Sequence, residues 1–156
     1  MCSSLAIGQK QIIRPAPDPI LEDLSGNTVR ISDFQGKVVL VNFWVMSCGP
    51  CADQAALFGK WQTENYERGL QVIGILLPPI NTDDLKRFLR ANKIYYPMLQ
   101  GTTKTRALFD DSNTKPLTVV IDRYGNIAGK FNGVIGQSQF DQSIKPLLAI
   151  SGAAAR

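Results

Sequence analysis

Apolar positions along this chain follow two rhythms, near-continuous β-branched runs and helix-spaced faces, and their alternation predicts the order of elements. KVVLVNFW, residues 37–44, follows Gly36 and predicts a buried strand. From Pro50 to Arg68 the spacing fits a helix, with Ala55, Leu57, Phe58, Trp61 and Tyr66 as its apolar contacts and Gly69 as its stop. LQVIGILL, residues 70–77, predicts a second buried strand ended by Pro78 and Pro79. Asn81 or Thr82 caps a helix over DDLKRFLRAN, where Leu85, Phe88 and Leu89 share a face. YYPML, a short helix near TTKTRALF, and the runs LTVVID and IAGKFNGV follow, the last two joined by a turn over Asp122–Asn126. A closing helix is predicted from Ser138 to Leu148. Upstream, two short runs flank Ser25-Gly26-Asn27, a hairpin signal. Residues 1–19 are polar and proline-rich without a sustained period, and read as a flexible N-terminal tail ahead of a domain over residues 20–150.

A strand-helix-strand unit, a further helix, then an antiparallel hairpin and a helix join a βαβ unit to a ββα unit. The expected architecture is α/β: a thioredoxin-like fold, its central mixed β-sheet flanked by helices, with an N-terminal β-hairpin extension.

Composition narrows the function classes. The 156 residues suffice for one domain with a real core. Lys and Arg number 17 against 13 Asp and Glu, a net charge of +4. The basic residues are scattered, which argues against nucleic acid and reads as a solvated surface of mixed sign; acidic protein partners are the alternative that the excess charge leaves open. No apolar run approaches the roughly 18 residues of a membrane span. The start, MCSSLAIGQKQ, lacks the layout of a signal peptide. The chain is therefore expected to be cytosolic, or to have lost an export sequence.

The chemistry gathers at VNFWVMSCGPCADQ, residues 41–54. Cysteines at i and i+3 on a first helical turn sit close enough to bridge. Cys48 lies at the helix start, where free N–H groups and the macrodipole favour a thiolate, so it is the expected nucleophile. Cys51, one turn in, is the expected resolving thiol. Pro50 is tolerated because first-turn N–H groups have no acceptor within the helix. Zinc needs about four ligands. The chain has no histidine, and its only other cysteine is Cys2. A redox pair is favoured over a metal clip or two inert core thiols. No metal and no cofactor are expected.

FWVMSCGPC resembles the thioredoxin-superfamily active site, and the surrounding frame is similar to the TlpA/ResA/CcmG branch of bacterial extracytoplasmic thiol-disulfide oxidoreductases. The matching pieces are VRISDFQGKVVLVNFW, LQVIGILLPPINTDDLKRFLRANKIYYPML and KPLTVVIDRYGNIAGKFNGV, roughly residues 20 to 148. The resemblance implies that Pro116 is the cis-proline beside the cysteine pair, and that Trp44, Gly49 and Pro50 support the site. Asn42 occupies a strand position where thioredoxin has a buried Asp and this branch often has Asn. Three positions depart from the pattern: Ser47 replaces the usual Trp, Gln54 replaces a common Glu near the resolving cysteine, and Ala56 replaces a Pro. Gln54 can hydrogen-bond but cannot titrate. Asp53 points the wrong way at i+2. Lys115, beside Pro116, reads either as a plain solvated lysine or as a cation that favours the Cys48 thiolate electrostatically, with water carrying the proton.

The implied activity is thiol-disulfide exchange, most readily the reduction of protein disulfides in the bacterial cell envelope, including cytochrome c maturation. Implied partners are protein disulfide or dithiol substrates and a membrane or soluble thiol donor, with no nucleic acid; the protein is expected to be a monomer. Cys2-Ser3-Ser4 resembles the start of a mature lipoprotein, so a lipid anchor at Cys2 is the only expected membrane link. The rival functions are a thiol peroxidase of the same fold and a non-catalytic envelope binding or assembly module. The peroxidase frame P-x-x-x-T-x-x-C fails here, because position 45 is Val and the Pro is absent. A copper-delivery protein of the Sco type would want C-x-x-x-C and a histidine.

Overall fold

The computed structural model describes residues 13–150. Its centre is a seven-stranded mixed sheet in the order β2-β1-β5-β4-β3-β6-β7. The strands are β1 (Leu21–Asp23), β2 (Thr28–Val29), β3 (Val38–Trp44), β4 (Leu70–Leu76), β5 (Met98–Gln100), β6 (Leu117–Ile121) and β7 (Ile127–Asn132). β3, β4 and β5 run parallel, while β6 and β7 continue the sheet antiparallel beside β3. The hairpin extension, β1 with β2, joins the other edge through β5. This is a thioredoxin-like fold, as the element order predicts.

β3 and β4 are buried along their whole length because both faces of the sheet are covered. On one face Val38, Leu40 and Trp44 pack with Cys51, Ala55, Phe58 and Trp61 of α1 (Gly49–Asn65). Leu85 of α2 (Thr82–Ala91) and residues of the C-terminal helices complete that layer. On the other face Val39, Val41 and Phe43 pack with Phe109, which follows α3 (Thr103–Ala107), and with Ile31 of a 3-10 turn. The alternation of strand side chains separates the two cores.

Two elements and one side chain differ from the sequence reading. α1 stops at Asn65, and Tyr66–Arg68 form a 3-10 turn closed by Gly69 at φ 97°. Tyr66, expected to be an apolar contact, is instead exposed beneath the Lys37 ammonium, 4.5 Å from its ring centre. The closing helix is not continuous. α4 (Gln137–Gln139) passes into a π turn over Phe140–Ile144 before α5 (Lys145–Leu148). Pro146 supplies the reason. Its ring and missing N–H oppose the α-helical bond to residue 142, and the Lys145 N–H reaches five residues back to the Phe140 carbonyl.

Of the segment read as a tail, residues 13–19 are described. Pro15 bridges Asn126, and the Ala16 and Ile127 N–H groups donate to Gly125 and Arg14 carbonyls. That contact lies at the turn between β6 and β7.

Candidate active site

Cys48 ends the loop after β3 in an extended conformation, the N-cap of α1. Its Sγ accepts the Cys51 backbone N–H at 3.2 Å, which uses one of the helix's unpaired donors. The two sulfurs are bridged, with Cα atoms 5.2 Å apart. Cys48 is partly exposed and Cys51 fully buried. The two sulfurs thus differ in setting: that of Cys48 is partly open to solvent at the positive end of α1, and that of Cys51 is enclosed in the core. Gly49 and Pro50, the first two helical residues, are exposed beside the bridge.

The Lys115–Pro116 peptide is cis, and the Pro116 carbonyl accepts the Gly133 N–H at 2.9 Å. Pro116 is buried and Lys115 is exposed. A second cis peptide joins Pro78 to Pro79 after β4. The sequence reading used that dipeptide only as a strand stop, and only the general cis tendency of X-Pro bonds could have pointed to it.

Beneath the bridge Trp44 is buried with its ring 5.6 Å from Phe88. Asn42 lies between Leu40 and Trp44 on the face that α1 covers, fully buried, directly opposite Thr118 of β6. Neither side chain makes a hydrogen bond to the described protein groups. Gln54 is nine-tenths and more buried and fully engaged: its Oε1 accepts the Ile135 N–H at 2.6 Å and its Nε2 donates to the Ile135 carbonyl at 3.0 Å. The amide thus clamps α1 to the loop after β7. Ser47 and Asp53 are exposed.

Arg106 went unnoticed in the sequence. It is 6 % exposed, and its Nη2 donates to the Thr114 carbonyl and, at 3.5 Å, to Ser112 Oγ, fixing the segment that leads into Pro116. Burial lowers its pKa from the usual guanidinium value, against the opposing pull of Asp110. Asp110 itself is held below its ordinary value by hydrogen bonds from Ser112 and by Lys130, whose Nζ lies 3.6 Å away. Among the described residues no group of three or more His, Cys, Asp or Glu is placed to hold a metal ion. Cys2 lies outside the described residues.

A half-exposed cysteine capping a helix, bridged to a buried one on a thioredoxin-like sheet, makes this chain a thiol-disulfide oxidoreductase. It belongs to the AhpC/TSA family, whose profile matches residues 12–130. Among curated proteins it is 28 % identical over 134 residues to the thiol-disulfide oxidoreductase ResA of Halalkalibacterium halodurans, covering 81 % of this chain and 73 % of that one. It is 25 % identical over 140 residues to ResA of Bacillus thuringiensis subsp. konkukian, covering 88 % and 79 %. Among solved structures, a thiol:disulfide interchange protein of the thioredoxin family from Chlorobium tepidum TLS superposes with a TM-score of 0.77 at 25 % identity, covering 88 % of this chain and 97 % of that one.

Proposed function

We propose that the chain acts as a reductant of protein disulfides in the bacterial cell envelope, with the haem-attachment cysteines of c-type cytochromes as one substrate class. The observation that carries this reading is the Cys48 Sγ seated on the first turn of α1, with Cys51 buried behind it. The similarity to ResA proteins supports it. In the reduced protein the Cys48 thiolate attacks one sulfur of a substrate disulfide, the substrate S–S bond breaks, and its other sulfur leaves as a thiolate that takes a proton from solvent. Cys51 then loses its proton and attacks Cys48, releasing the second substrate thiol and leaving the protein bridged. A thiol donor, soluble or membrane-bound, returns two electrons. Lys115 favours the attacking thiolate by its charge, and Pro116 shapes the docking surface next to it. A lipid at Cys2 would hold the protein at the membrane. Among the described residues no helix is long and apolar enough to cross one.

The Gly-Pro dipeptide between the cysteines is that of thioredoxin, so a potential near about −270 mV is expected. Thiol trapping across a dithiothreitol series measures it. A value close to about −120 mV, the range of the oxidant DsbA, would reverse the proposed direction. The peroxidase alternative has its own readout, steady peroxide consumption by a Cys51→Ser variant.

A further inference from the structure

We propose that the cavity at the carboxyl ends of β3, β4 and β5, bordered by Arg106 and Lys115, is a subsite for an acidic side chain of the substrate polypeptide, next to the cysteine under attack. It rests on the disulfide-reductase reading above and adds what the substrate must carry.

Position is the first argument. Open α/β sheets bind ligands beyond the carboxyl ends of their parallel strands. Val45 after β3, Leu77 and Pro78 after β4, and Thr103 after β5 all line this cavity. The Val45 carbonyl accepts the Cys48 N–H at 3.3 Å, so the cavity and the dithiol share one loop. At about 200 Å³ it suits one side chain rather than a drug-sized ligand.

The main chain at its rim is the second argument. The Thr114 carbonyl is taken by Arg106, and the Pro116 carbonyl by Gly133. Lys115 lies between them, and its own N–H and C=O have no hydrogen bond among the described residues. An extended segment pairing there by strand addition would direct a neighbouring side chain toward the cavity.

Charge is the third. Every side-chain hydrogen bond of Arg106 leaves from Nη2, and neither Arg106 nor Lys115 joins an ion pair among the described residues. Asp110, also in the lining, is already neutralised by Lys130. Asp110 also draws on Arg106, so Arg106, Lys115 and Lys130 together face two carboxylates, Asp110 and Asp111, which leaves one cation over. A glutamate or aspartate supplies the missing acceptor. A substrate lysine would meet a buried guanidinium, and like charges at close quarters disfavour binding.

The test uses single-turnover reduction. The protein is reduced with dithiothreitol, freed of it, and mixed with disulfide-linked homodimers of short peptides carrying Glu, Gln, Ala or Lys before or after the cysteine. In at least one of the two placements, the Glu peptide should be reduced on the order of tenfold faster than the Lys peptide at low salt, the gap narrowing as salt rises. Arg106→Gln should collapse the preference. Because Arg106 is buried and its loss could disturb folding, Lys115→Glu on the surface is the second variant and should invert it. Lys145→Glu, on α5 and outside the cavity, makes the same change in net charge and should leave the ratio near that of the unaltered protein.

Equal rates for all peptides overturn the subsite while leaving the reductase intact. A Lys145→Glu effect as large as that of Lys115→Glu overturns it too, by making the preference a property of overall charge. Reduction of no peptide at all, in a protein whose bridge dithiothreitol still opens, removes the reductase reading and the subsite with it.

Discussion

An amide at position 54 can do what a carboxylate cannot: donate and accept at once. Gln54 meets both the N–H and the C=O of Ile135. In a Gln54→Glu variant the protonated acid can still serve both groups, whereas the ionised one faces the Ile135 carbonyl with no donor. The folded-state pKa of the introduced carboxyl should therefore lie above its unfolded value of about 4.3. The variant should match the unaltered protein below that pH and lose stability as pH rises through the interval between the two values. The expected loss at neutral pH is about 1–3 kcal/mol, read from urea midpoints at pH 4 and pH 8. The two cysteines separate by a different measurement. Cys48→Ser should abolish exchange, and Cys51→Ser should accumulate a mixed disulfide visible as an added mass equal to the substrate thiol less two hydrogens. The spacing of the cysteines and the amide at 54 were legible in the sequence. The partner of that amide, 81 residues away, was not, because nothing local marks Ile135 as the backbone that Gln54 must satisfy.

Elements here are placed by apolar rhythm and held at their ends by single polar residues. Arg123 follows β6 and donates to three carbonyls, those of Gly36, Arg68 and Leu148, at 2.9 to 3.0 Å. It thereby joins the loop before β3, the turn after α1 and the end of α5. Its guanidinium also fills the space beside Gly69, where a Cβ would clash with Nη1. Arg123→Ala should cost about 2–3 kcal/mol in urea unfolding, and Lys should recover only part, since one ammonium cannot reach three acceptors in the fork geometry. The strands β3 and β4 were predictable because buried parallel strands read as continuous β-branched runs. The π turn was not. Pro146 announces an interruption but not whether the chain breaks, kinks or widens, and that choice depends on Phe140 and Ile144 keeping their places in the core.

For the molecule as a whole, the absence of histidine removes the side chain that ordinarily titrates near neutrality, so acid sensitivity falls to the carboxylates. Asp110 is the one the surroundings favour as an anion in the loop leading to Pro116, through Ser112 first and Lys130 next. Since its folded pKa is depressed, its contribution is complete above the ordinary value of about 4 and is lost as pH falls through the folded one. Asp110→Asn should lower the urea midpoint at pH 7, and the difference should shrink as pH falls below the ordinary carboxylate value and vanish once the folded carboxyl is protonated.

The strands also give the molecule two ends. Cys48 lies past the carboxyl end of β3, whereas Pro15 meets Asn126 beside Ile121, which pairs with Val39 at the other end of that strand. β3 spans seven residues, so these points are separated by roughly 20 Å. The described chain therefore joins the sheet at Pro15, at the pole opposite the dithiol, so the two sites face away from each other across the length of β3.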